Sequence, residues 1–208
     1  MKSVAEKKED MINCAVLCAE NKLAPGTSGN ISVRYGDKIL ITRTGSNFGG
    51  LEPEDIVLID FDGKLLEGDF KPSSEKLLHS EIYKIREDIN AIIHVHSPAL
   101  SAFATANLAL SEPYMAENVY YFGDIPLAPY GCPSTFALVE KTAPYFKNRN
   151  AVLMANHGFL IGDINIWEAY MKLEIAEAYA QTIINAKILG GAKPLTPEQV
   201  KEIEMLKN

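Results

Sequence analysis

His94-Val95-His96 closes a run of strongly β-forming residues, and a third histidine, His157, follows a second apolar run far along the chain. Side chains two apart on a strand project from the same face, so His94 and His96 can reach one ion while Val95 points away. His157 lies in the turn Asn156-His157-Gly158, directly after the buried-looking strand Ala151 to Ala155. Three imidazoles suit a divalent ion, zinc above others, and leave a coordination position open, as in catalytic rather than structural sites. A lone histidine more often serves the core than a metal. The strand pair, His157 and an acidic helix start together favour the metal. His79, four residues after Glu75, is read as structural support.

Glu75 follows Pro72-Ser73-Ser74 and precedes a helical pattern through Leu77, Leu78, Ile82 and Ile85. Ser73 or Ser74 is expected to cap that helix, with Glu75 in its first turn, where a carboxylate gains roughly 0.3–1 kcal/mol from the helix dipole. Beside a metal, the same carboxylate is placed for acid–base chemistry. Two further polar turns, Gly26-Thr27-Ser28-Gly29-Asn30 and Thr44-Gly45-Ser46, resemble Ser73-Ser74 in composition. Hydroxyls, glycines and exposed backbone N–H groups are what a phosphate oxyanion needs. Singly each is an ordinary turn; with metal ligands beside them they point to a phosphorylated substrate.

These groups need elements to hold them. Ser3 to Asn21 reads as an amphipathic helix, and Ile31 to Arg34 with Lys38 to Thr42 as a hairpin about Tyr35-Gly36-Asp37. Ile56 to Asp60 and Lys64 to Leu66 form a second hairpin turning at Asp62-Gly63. Ala91 to Val95 is a strand, and Ser97-Pro98 opens a helix. Tyr120 to Pro129 is expected to be extended and Ser134 to Phe146 helical. A long helix from about Ile166 to Leu189, sparsely charged, should be packed on more than one side; Gly190-Gly191 stops it, and Thr196-Pro197-Glu198 opens a terminal helix. The hairpins predict a mixed α/β domain over residues 1–208, its largely antiparallel sheet covered by helices.

Bulk properties exclude several function classes. With 208 residues, 47% hydrophobic and 23% charged, the chain has the composition of an ordinary globular domain. Its net charge of −7 argues against nucleic acid as a partner. The longest apolar stretches are strand-sized or broken by charges, so no membrane partner is expected. Neither end reads as a targeting segment. Cys14, Cys18 and Cys132 fit no disulfide framework, which points to a reducing, cytoplasmic setting.

Taken in order, Gly26-Thr27-Ser28-Gly29-Asn30, Thr44-Gly45, Ser73-Ser74-Glu75, His94-Val95-His96 and Asn156-His157-Gly158 resemble class II sugar-phosphate aldolases of the fuculose-1-phosphate aldolase type over nearly the whole chain. The resemblance implies a three-layer α/β/α fold and a homotetramer with active sites between subunits. It implies zinc on His94, His96 and His157, a phosphate held by Gly29, Asn30, Thr44, Gly45, Ser73 and Ser74, and Glu75 as the acid–base group. It implies cleavage of a ketose 1-phosphate between C3 and C4, through a zinc-stabilised enediolate, to dihydroxyacetone phosphate and a small aldehyde. Tyr114 matches a tyrosine that a neighbouring subunit supplies to protonate the aldehyde oxygen; Tyr120 and Tyr121 are read as packing residues. The tail tyrosine of fuculose-cleaving members has no counterpart before Lys207-Asn208, so the resemblance leaves the aldehyde-side specificity open. Aldolases of 5-deoxy or methylthio pentulose 1-phosphates share this chemistry. Among relatives, ribulose-5-phosphate 4-epimerases typically carry Asp where Glu75 stands, methylthioribulose-1-phosphate dehydratases keep the Glu and the three histidines, and a non-catalytic adducin-head-like domain should have lost them.

Overall fold

The computed structural model describes residues 2–207; Met1 and Asn208, the ends of the expected 1–208 domain, lie outside the described residues. Among the described residues eight strands form one sheet: β1 (Gly29–Tyr35), β2 (Lys38–Thr42), β3 (Ile56–Asp60), β4 (Leu65–Glu67), β5 (Ala91–Val95), β6 (Leu127–Ala128), β7 (Ala151–Met154) and β8 (Gly158–Asp163). Across the sheet the order is β4-β3-β2-β1-β5-β8-β7-β6. Neighbours run antiparallel except β6 and β7, which are parallel. The helices are α1 (Val4–Glu20), α2 (Lys76–Ile85), α3 (Pro98–Thr105), α4 (Ala116–Tyr121), α5 (Phe136–Thr142), α6 (Ile166–Ile188) and α7 (Pro197–Met205).

Alternation along the strands builds two cores. Ala91, Ile93 and Val95 of β5 pack with Met11 and Cys14 of α1 and Leu173 and Ala176 of α6. Ile92 faces the other way, with Ile39, Ile41, Leu78 and Ile82 of α2 and Leu138 of α5. Successive side chains on a strand leave from opposite faces, so a sheet covered on both sides needs apolar residues at nearly every position. That is why β5 is buried along its whole length, and the result is the expected three-layer α/β/α arrangement. Both hairpin turns occur as read, with Gly36 at φ 60° and Gly63 at φ 79°. Among the described residues no helix is long and apolar enough to cross a membrane.

Several local expectations need correction. Tyr120 and Tyr121 are not extended but close α4, whose Asn118 and Val119 are buried; tertiary packing decides this short segment. The helix expected over Ser134 to Phe146 is α only across Phe136–Thr142, and Ala143–Lys147 tighten into a 3-10 turn. Pro144 has no N–H to give and its ring crowds the preceding turn, so the α ladder ends there. Gly158–Asp163, unassigned in the sequence, is a full strand between β5 and β7. Helix α6 buries one stripe, through Ala169, Leu173, Ala176, Ala180 and Ile183, while Met171 stays exposed. Tyr170 and Tyr179 widen that stripe, and α6 packs against α1, α3, α4 and the sheet, so it is covered on more than one side as expected.

One carboxylate ties α6 to the start of α3. Glu177 accepts hydrogen bonds from Ser97 Oγ at 2.7 Å, Ala99 N at 2.7 Å and Leu100 N at 3.0 Å. These backbone N–H groups belong to the first turn of α3 and have no carbonyl within the helix to meet. A carboxylate at a helix start also complements the dipole. Because α3 begins two residues after His96, this anchor fixes the segment that carries that ring. Glu177→Ala should cost about 2–3 kcal/mol, read as a lower urea midpoint, and Glu177→Gln less. An unchanged midpoint in both would make the carboxylate incidental.

Candidate metal centre and its pocket

Strand β5 turns Val95 into the α1–α6 core, so His94 must project to the opposite face, toward α2. His96 follows just past the strand end, and His157 comes from the β7–β8 turn beside it. The three rings meet at centroid separations of 4.8, 4.8 and 5.1 Å. One ligand nitrogen from each lies within 4.8 Å of the others, and the Nε2 atoms of His94 and His96 are 3.0 Å apart. His94 Nδ1 lies 2.9 Å from the Phe159 carbonyl oxygen. A carbonyl can only accept, so Nδ1 carries the proton and the Nε2 lone pair faces the cluster.

Two glycines allow this closeness. A Cβ on Gly158 would stand 2.6 Å from both His96 Cδ2 and the Val95 carbonyl oxygen. One on Gly29, at φ +131°, would meet the His94 carbonyl oxygen at 2.8 Å. Strand β8 thus starts flush against the imidazoles, and β1 runs flush against the β5 backbone that carries His94.

Glu75 completes the cluster. Its Oε2 lies 3.4 Å from His94 Nε2 and its Oε1 3.3 Å from His157 Nε2, while Asn30 Nδ2 donates to Oε2 at 3.2 Å. The residue is only 7% exposed. Glu75 is not in the first turn of α2, as expected from the sequence, but at the residue before it, with φ −97° and ψ 11° and no side-chain bond to the helix. Its carboxylate is turned to the histidines instead, and Ser73 Oγ accepts from the Glu75 N–H at 3.3 Å. Behind it His79 is fully buried, its Nδ1 2.7 Å from Ser32 Oγ, which in turn lies 2.9 Å from Tyr83 Oη. That triad pins α2 to β1, the supporting role expected of His79.

The electrostatics ask for a cation. Burial, reinforced by His96, holds His94 down to about 3, and burial followed by the charge of His94 holds His157 down to about 4. His96 is lowered too, chiefly by burial. All three are therefore neutral near pH 7, which is the form that ligates metal. A buried carboxylate among neutral rings lacks a counter-charge, and such a charge is costly unless paired. Three imidazole nitrogens plus one carboxylate make a donor set that fits a divalent ion.

All six residues expected at a phosphate, Gly29, Asn30, Thr44, Gly45, Ser73 and Ser74, line one cavity of about 280 Å³ together with Glu75 and the three histidines. The N–H of Thr44 donates to Lys71 O and that of Ser73 to Thr42 O, so these two residues offer hydroxyls rather than amides. Three lining residues, Arg43, Pro133 and Ser134, were missed in the sequence. Arg43, beside Thr44, is ion-paired to Asp55 and stacks over Phe70; a cation next to a phosphate turn was a usable signal. Ser134 reaches Ser74 from 60 residues away, and no local pattern announces that. Tyr114 is not brought to the histidines by this chain: it lines a separate hollow with Tyr179 and Lys187. Tyr120 and Tyr121 meet edge to face on α4, and both are exposed.

Protein prepared without chelator should hold about one divalent ion per chain by elemental analysis. His96→Ala should abolish that stoichiometry, and Gly158→Ala should weaken affinity by about tenfold or more because the rings must move. A metal-free wild type would overturn the assignment.

A family model described as Class II Aldolase and Adducin N-terminal domain matches residues 9–184. A 5-deoxy-D-ribulose 1-phosphate aldolase from Bacillus thuringiensis serovar kurstaki is 33% identical over 201 residues, spanning 95% of this chain and 93% of that protein. An L-fuculose phosphate aldolase from Methanocaldococcus jannaschii is 36% identical over 181 residues, spanning 86% and 97%. A solved L-fuculose 1-phosphate aldolase superimposes with a TM-score of 0.92 at 32% identity, covering 100% of this chain and 99% of that one. The chain belongs to the class II aldolase and adducin N-terminal domain family.

Proposed function

We propose that residues 1–208 form one class II aldolase domain that cleaves a ketose 1-phosphate reversibly to dihydroxyacetone phosphate and a small aldehyde. The observation that carries this reading is a single cavity lined by two kinds of chemistry. In it Glu75 stands 3.3–3.4 Å from two of three converging imidazoles, and the hydroxyl-bearing residues Thr44, Ser73 and Ser74 line the same space. The similar proteins named as 5-deoxy-D-ribulose 1-phosphate and L-fuculose phosphate aldolases support the substrate class.

A divalent ion, zinc in this reading, would be held by His94, His96 and His157 and would supply Lewis acidity to the substrate's carbonyl and neighbouring hydroxyl. The polar turns at Gly29-Asn30, Thr44-Gly45 and Ser73-Ser74 grip the phosphate and fix the C1 end, so that C3 lies near Glu75. In cleavage the C4 hydroxyl gives up its proton, the C3–C4 bond breaks, and its electron pair stays on C3. Glu75 delivers a proton to C3; in condensation its carboxylate removes that proton again. The Asn30 amide bonded to Oε2 holds the carboxylate in place while Oε1 does the exchange.

Tyr114 serves this reading as the group that exchanges the C4 hydroxyl proton, delivered from a neighbouring copy in a homotetramer whose sites lie between subunits. The enzyme is read as cytoplasmic, in keeping with three free cysteines.

Coupled detection of dihydroxyacetone phosphate from a panel of ketose 1-phosphates should show release with the wild type. Substrate loss with water eliminated and no such release would replace the aldolase by a dehydratase. Glu75→Gln should retain its metal yet lose about 10²–10⁴-fold in turnover. Normal turnover in that variant would remove Glu75 from the proton path.

A further inference from the structure

Ser134 sits in the loop between β6 and α5, at φ 64°. This is the left-handed region, where a residue bearing a Cβ is strained and glycine or asparagine is the ordinary occupant. The other non-glycine residues there, among those described, are Lys22, just past the end of α1, and the asparagines Asn107 and Asn156. Ser134 alone is neither asparagine nor at a helix end of that kind. Strain of this sort persists only where the surroundings impose it, and it gathers at functional sites.

The surroundings do impose it. A Cβ on Gly131 would lie 2.6 Å from Leu138 Cα, so the loop backbone runs flush against α5. Thr135 closes on Cys132 O twice, through its N–H at 3.3 Å and its hydroxyl at 2.7 Å. Lys141 Nζ donates to Tyr130 O at 2.8 Å. Held in this way, the Ser134 hydroxyl lies 2.7 Å from Ser74 Oγ, inside the cavity that also contains Thr44, Ser73 and Glu75. A hydroxyl that receives a hydrogen bond donates its own proton more strongly, because chained bonds polarise one another. With Ser134 as donor, Ser74 keeps its proton for an anionic oxygen in the pocket.

We propose that Ser134 is a positioning residue for the phosphate end of the substrate, acting through Ser74: it fixes the Ser74 rotamer and directs that hydroxyl's proton to the phosphate. The assignment rests on the ketose 1-phosphate reading above and adds a residue from outside its motifs.

The test uses the metal-loaded enzyme, with inorganic phosphate as probe by calorimetry and as competitive inhibitor, alongside turnover of the ketose 1-phosphate. Ser134→Ala and Ser134→Gly should each raise KM and the phosphate Ki about tenfold, with much smaller change in kcat and unaltered metal content. Ser134→Gly removes the strain along with the hydroxyl, so its Tm should be no lower than wild type, separating lost positioning from lost folding. Ser74→Ala combined with Ser134→Ala should be no worse than Ser74→Ala alone. Phosphate bound by Ser134→Gly as tightly as by wild type, or strictly additive losses in the double variant, would overturn the role of Ser134 and leave the aldolase reading standing. Failure of the wild type to bind phosphate or turn over any ketose 1-phosphate would overturn both.

Discussion

A carboxylate buried among three neutral imidazoles is the constraint around which the rest of this molecule is arranged. Left alone, the Glu75 charge would face desolvation with one amide bond from Asn30 to offset it. The imidazoles cannot supply the missing positive charge, because burial keeps them unprotonated. A cation between them would satisfy all four groups at once. An arrangement that is costly without a cation would be reactive with one, since charge is strongly felt where water is scarce.

The sheet meets this constraint through its period of two. The apolar residues of β5 alternate between the two cores, so placing Val95 in the α1–α6 layer leaves His94 no choice but the α2 side. The β5–β8 pairing then sets the Phe159 carbonyl against His94 Nδ1 and brings the β7–β8 turn alongside. Glu177 holds α3, which leads away from His96, and His79 holds α2, which leads away from Glu75. Each of the four side chains, His94, His96, His157 and Glu75, thus lies in, or one residue from, a rigid element whose other face is buried.

The convergence of His94, His96 and His157 beside Glu75 was legible because their spacing reports directly on strand and helix geometry. The polar turns were legible as composition, and they gather in one cavity. What escaped was set by distant contacts. Two glycines weaken the β signal of Gly158–Asp163, yet β5 and β7 pair with it on both sides. The α4 helix at Tyr120 and Tyr121 exists because α6 and α7 pack on it. Ser134 meets Ser74 only through the way α5 lies beside α2. The position of Glu75 one residue ahead of its helix reflects a side chain claimed by the histidines rather than by the helix N-terminus.

The strands that carry the ligands lie in mid-sheet: β5 is paired along its length to β1 on one side and to β8 on the other. Their shape is set by that pairing and by two apolar layers, with no contribution required from an ion. In small zinc-templated domains binding and folding are one event. A divalent ion held by these histidines would instead meet strands already fixed by pairing, so its binding would be separable from folding. Loading would then be a matter of exchange kinetics and of which divalent ions the surroundings offer.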